Sequence, residues 1–103
     1  MNGKKDKCGN FHFILTACLE REAEIVKAIG HSVRLKLLIA IYEKKGIVKS
    51  LVNCVAEPQP IVSQQLAVLR KHGIIEGIKD GNKINYKIIE PITHNFIRML
   101  VER

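Results

Sequence analysis

The chain has 103 residues, 47% apolar and 26% charged, and its 17 lysines and arginines outweigh 10 acids for a formal net charge of +7. That length suits one domain with a real core and is too short for two, and the apolar content excludes a disordered chain. A small basic domain is biased towards polyanions, although charge does not separate DNA from RNA or an acidic membrane, and three cysteines at no framework spacing argue against a disulfide scaffold.

Residues 1–9 read as a flexible basic arm, and residues 10–103 as a single domain. From Asn10 to Gly30 apolar side chains recur at Phe11, Ile14, Leu15, Cys18, Leu19, Ile25, Val26 and Ile29. That helical stripe predicts a first helix, with Asn10 as cap and Gly30 as stop. The stripe is broader than one small core needs, which points to packing against a second subunit. No apolar run approaches the ~20 residues of a bilayer-crossing helix. The basic start also lacks a small-residue cleavage signal, so a cytoplasmic protein is expected.

The second predicted helix runs from His31 to Tyr42, capped by Ser32 and ended before Gly46. Its expected core face is Leu35, Leu38, Ile39 and Tyr42. Ile47 to Ala56 makes a third, shorter helix with Val48, Leu51 and Val55 inward, and Glu57-Pro58 must stop it because a residue before proline leaves the helical region. A fourth helix follows at once, with Pro60 in its first turn, where a missing N–H costs nothing. Its inner face is Val62, Leu66 and Leu69, and Gly73 marks its end. Two short helices across so tight a break predict a helix-turn-helix.

The opposite face of the fourth helix carries Ser63, Gln64, Ala67 and Lys71, with Gln59 at the entry and Gln65 on the flank. It is polar and nearly free of acids. Glutamine amides bond base edges in both senses, and serine and lysine suit phosphates, so this face fits a major groove. His72, just beyond it, could add a phosphate contact. The plainer reading is an amphipathic surface helix with a solvated side. Downstream, Ile74 to Ile88 holds two alternating runs around Asp80-Gly81-Asn82, a strong hairpin signal. Lys79, Asn82 and Lys83 sit at its tip, where they suit the sugar-phosphate backbone or the minor groove. A hairpin serving only as structural cover is the alternative. Finally, Glu90 to Val101 predicts a last helix with proline in its first turn and an apolar side of Ile92, Phe96, Met99 and Leu100. The fold class is therefore mainly α with one small β-hairpin: a winged helix-turn-helix.

This pattern resembles the ArsR/SmtB family of small winged-helix repressors. Ala28-Ile29-Gly30-His31-Ser32-Val33-Arg34-Leu35-Lys36-Leu37-Leu38 is similar to that family's Ala-Leu-Gly/Ala-(His/Asp/Asn)-Pro-x-Arg-Leu-x-Ile-Leu segment. Gln59-Pro60-Ile61-Val62-Ser63-Gln64-Gln65-Leu66-Ala67-Val68-Leu69 resembles its reading helix, Gln-Pro-x-Val-Ser-x-His-Leu-x-x-Leu. Arg70-Lys71-His72-Gly73-Ile74-Ile75 resembles the lead into the wing, and Asp80-Gly81-Asn82 with Tyr86 the wing itself. The resemblance spans about residues 20–100. It implies a homodimer built from the first and last helices, bound to double-stranded DNA at a palindromic operator with its reading helices one turn apart, and repression lifted by an inducer. Two departures stand out: Pro58 replaces the usual capping serine, and Gln65 stands where histidine is common.

The sensor motifs of that family fail here. The positions of its Cys-x-Cys pair carry Ile47 and Lys49, the last helix supplies only His94 for a zinc site, and Ile39 stands where a persulfide sensor needs cysteine. The remaining candidates for a metal(loid) ion or thiol reagent are Cys8, His12, Cys18 and Cys54. Cys8 and His12, four apart, could share a metal on a helix. Equally, Cys18 reads as a small hydrophobe on the apolar stripe, Cys54 as a packed or half-exposed thiol, and Cys8 as a tail residue. No cofactor is required by any motif. An enzyme is not expected, because no nucleophile, phosphate-cradling loop or complete metal triad is visible. A winged-helix module that binds protein is the competing function, and it would need a continuous apolar face through Ile61, Gln64 and Val68.

Overall fold

The computed structural model describes residues 18–43 and 47–103. Among them lie five helices and one hairpin: α1 (Glu20–Ile29), α2 (Ser32–Tyr42), α3 (Val48–Val55), α4 (Gln59–Lys71), β1 (Ile75–Asp80), β2 (Lys83–Ile88) and α5 (Pro91–Val101). The expected arm 1–9, the stretch from Asn10 to residue 17 and the stop at Gly46 lie outside the described residues.

The first helix is shorter at its described end than the apolar stripe suggests. Cys18 and Leu19 are not helical, and α1 begins at Glu20 with Leu19 as an N-cap lacking a side-chain bond. Glu20 and Glu22 fill the first turn, where carboxylates face the positive end of the helix dipole. Cys18, just before the helix, is exposed in the single chain. Gly30 ends the helix as anticipated.

Helix α2 is the centre of the core. It touches α1, α3, α4, α5 and β2, and Leu37, Leu38, Ala40 and Ile41 are buried. The expected face was Leu35, Leu38, Ile39 and Tyr42; of these only Leu38 is fully buried, and the other three pack at its margin. The helix is apolar nearly all round, so periodicity has no polar face against which to set its orientation. Its cap differs too. His31 is the N-cap, its Nδ1 accepting from Arg34 N–H at 3.4 Å, in place of Ser32.

The turn between α3 and α4 is Ala56-Glu57-Pro58. Ala56 adopts a left-handed conformation (φ 56°), which halts α3 one residue before the expected Glu57-Pro58 stop. Pro58 caps α4 without any side-chain bond, and its carbonyl accepts from Ile61 and Val62 N–H. Val62, Leu66 and Leu69 are completely buried, as their helical spacing requires. After His72, Gly73 turns left-handed (φ 70°) and releases the chain into β1.

The hairpin pairs Asp80 with Lys83, leaving Gly81-Asn82 as a two-residue loop. Only Gly81 has positive φ, the pattern of a II′ turn. Gly77 is fixed by close approach: a Cβ there would stand 2.7 Å from Ile84 Cγ2 and 3.0 Å from a Tyr86 ring carbon. A short bridge from Ile47 to Asn85, which no local pattern announces, ties the start of α3 to the wing.

Helix α5 opens on the buried Glu90. Its carboxylate accepts from Thr93 N–H and Thr93 Oγ1, each at 2.6 Å, and from Ile92 N–H at 3.0 Å. Thr93 and Ile97 are the buried residues of α5, while Phe96, Leu100 and Val101 are half-buried. Ile92 and Met99, expected on the inner side, are 41% and 63% exposed. Ile92 adjoins Val26 of α1, itself 57% exposed, along an apolar groove lined by Val26, Ile29, Gly30, Leu35, Ile92 and Phe96. The Tyr42 hydroxyl donates to the Glu102 carboxylate at the far end of α5, and the Tyr42 ring lies 5.4 Å from that of His94 nearer its start.

Candidate nucleic-acid interface

Burial of Val62, Leu66 and Leu69 fixes the rotation of α4, and that rotation decides what faces outward. Gln59, Ser63, Gln64, Ala67 and Lys71 are all exposed. No acid occurs between Gln59 and Lys71. The face is thus a row of amide, hydroxyl and ammonium groups, able to donate to phosphates and to pair with base edges. Lys79, Asn82 and Lys83 are exposed at the wing tip. Asp80, paired to Lys83 across the turn, is the acid of that tip.

Gln65 differs from its neighbours. It is half-buried, and its Oε1 accepts from Arg34 Nε of α2 at 2.8 Å. The same guanidinium donates through Nη1 to the Ala28 carbonyl at the end of α1, at 3.1 Å. Arg34 belongs to the quoted motif, but nothing in its local sequence signals a partner 31 positions away.

Two further contacts set the wing and the end of α4. Arg70 donates to Tyr86 Oη at 3.1 Å, and its guanidinium lies 5.9 Å from that ring's centroid, so the last turn of α4 holds β2. His72, a candidate for phosphate contact, is turned back instead. Its Nδ1 lies 2.9 Å from the Val68 carbonyl, which only accepts, so Nδ1 carries the proton. Its Nε2 is 3.6 Å from Glu24, and its own carbonyl accepts from Arg21 Nη1 at 3.0 Å. Helix α1 thereby closes the C-terminal end of α4.

Two of the four sensor candidates lie among the described residues. Cys18, before α1, and Cys54, on α3, are both exposed free thiols. Among the described residues no group of three or more His, Cys, Asp or Glu side chains is placed to hold a metal ion. Cys8 and His12 lie outside the described residues. Ile47 and Lys49 occupy the start of α3, and neither supplies a ligand. Among the described residues no helix is long and apolar enough to cross a membrane.

No family model matches the chain. It is 29% identical over 72 residues to the HTH-type transcriptional repressor SmtB of Mycobacterium tuberculosis, a stretch covering 70% of this chain but only 53% of that protein. It is 31% identical over 90 residues to the transcriptional repressor PagR of Bacillus anthracis, covering 86% of this chain and 90% of PagR. The crystal structure of PagR superposes with a TM-score of 0.73 over 80% of this chain and 94% of PagR. A homodimeric winged helix-turn-helix DNA-binding domain of Mycobacterium bovis, 19% identical, shares the fold with a TM-score of 0.71 over 82% of this chain and 78% of that domain. Fold order, wing and likeness agree: the chain belongs to the ArsR/SmtB family of winged helix-turn-helix, DNA-binding transcriptional regulators.

Proposed function

We propose that this chain acts in the cytoplasm as a homodimeric repressor, with two α4 helices in adjacent major grooves of a palindromic operator and the wings against the flanking backbone. The carrying observation is the acid-free outer face of α4, held outward by three fully buried residues on the opposite side. The dimer is supported by the groove between α1 and α5, where Val26 and Ile92 stay 57% and 41% exposed beside the core formed by the described residues. In a symmetric pair that patch would meet itself. A half-site spacing of about 34 Å follows from one turn of duplex.

The protein-binding reading loses support from the same helix. Ile61 is exposed, but Gln64 interrupts it and Val68 is half-buried, its carbonyl engaged by the His72 ring, so no continuous apolar face forms.

Base reading and backbone contact predict different losses. Gln64→Ala and Ser63→Ala should each weaken operator binding by about 1–3 kcal/mol while sparing random duplex. Equal loss on both DNAs would remove these residues from base reading. Lys83→Ala should weaken binding to every sequence and lower the slope of log affinity against log salt by about one. An unchanged slope in a salt titration would take Lys83 off the phosphates.

A further inference from the structure

We propose that Arg34 is a specificity-determining positioning residue, which turns the Gln65 oxygen towards the protein so that the amide meets the major groove through its Nε2 donors and selects guanine over adenine. The inference rests on the reading of α4 as the DNA-contacting helix. Arg34 is fixed at two points, by Gln65 Oε1 at 2.8 Å and by the Ala28 carbonyl at 3.1 Å. Because arginine carries donors and no acceptor, the glutamine atom facing it must be the oxygen. That leaves Nε2, with two N–H groups, as the freer polar atom of Gln65.

A free glutamine reads adenine by accepting from N6 and donating to N7 at once. With Oε1 turned towards Arg34 the oxygen keeps a second lone pair. The amide is no longer free, however, to lie with Oε1 beside adenine N6 and Nε2 beside N7, so the paired adenine contact is disfavoured. A charge-assisted bond of this length is among the stronger side-chain contacts, so a passing base does not easily displace it. The base edge that answers two donors is guanine, which presents N7 and O6 as acceptors. Gln59 and Gln64, both exposed, keep both functions of their amides. One helix therefore carries glutamines of two kinds.

The test uses the full chain to select fragments from random duplex DNA, then measures wild type, Gln65→Met and Arg34→Met on that operator and on its single base-pair changes. The expected profile contains one position per half-site where wild type prefers guanine over adenine by about tenfold. Gln65→Met should abolish the preference there alone. Arg34→Met, by freeing the oxygen, should let adenine compete at that same position, a change of profile that a purely structural role would not produce. The proposal is overturned if the position that responds to Gln65→Met carries adenine, if no single position responds, or if folded Arg34→Met keeps the wild-type profile. If Arg34→Met does not fold, the comparison of wild type with Gln65→Met still decides between guanine and adenine. Failure of the wild type to select any sequence would instead sink the reading of α4 itself.

Discussion

Val26→Glu is expected to leave the monomer folded and to raise the dimer dissociation constant at least about a hundredfold, with operator affinity falling alongside. Val26 is more than half exposed, so the fold itself is little affected by the change. Its position in the groove with Ile29, Leu35, Ile92 and Phe96 makes it different from an ordinary surface site. In a symmetric pair each substitution counts twice, and each new carboxylate would stand on the apolar lining of this groove. Burying an unpaired charge costs several kcal/mol, far more than removing one valine from apolar packing. Sedimentation reads the association and circular dichroism the fold. A variant that stays dimeric would show that this groove does not join the two copies.

Glu90→Ala should cost about 2 kcal/mol of stability at pH 7, measured by urea unfolding at fixed protein concentration. The carboxylate closes the first turn of α5 with three bonds from Thr93 and Ile92, and the substitution leaves the Thr93 hydroxyl buried without that partner. Burial pushes the Glu90 pKa up, but the Thr93 hydroxyl, the Thr93 and Ile92 N–H groups and the Arg21 charge together outweigh it, so the net shift is below the ordinary 4.5. The sign follows from that direction. The folded carboxyl titrates lower than the unfolded one, so its contribution is complete above about pH 4.5 and disappears as pH falls through the folded value. The gap between wild type and Glu90→Ala should therefore narrow on acidification through that range. A gap that widens towards acid would reverse the assignment.

Local chemistry is the most legible part of the chain. A positive φ at Gly73 and Gly81, a two-residue hairpin loop and the uncapped Pro58 all follow from residues within a few positions of one another. The inward stripe of α4 is equally plain, because polar residues flank it on every turn. Orientation is not legible where apolar residues run all round. In α2 the core face lies between Leu37 and Ile41, and in α5 a buried threonine sits inside while methionine lies outside. Thr93 reads as polar in sequence, and its burial makes sense only with the Glu90 carboxylate against its hydroxyl.

Long-range polar pairs are invisible for a different reason. Arg34 with Gln65, and Arg70 with Tyr86, are separated by 31 and 16 positions, and only the folded arrangement brings them together. Each residue sits within a motif, but no periodicity links the members of a pair. Composition alone marks the outer face of α4 as polar and acid-free, yet Gln65 and His72 are engaged with the protein's own groups. Exposure and bonding, which residue type does not encode, set these two residues apart from Gln59, Ser63 and Gln64.

Sedimentation of the full chain, alone and with a duplex selected from random DNA at modest ionic strength, is the decisive measurement for the dimeric, groove-reading arrangement. A dimer in isolation and two chains per duplex are expected, with protection of two inverted half-sites one helical turn apart. A chain that remains monomeric at micromolar concentration, or that leaves every duplex unbound, would contradict that arrangement.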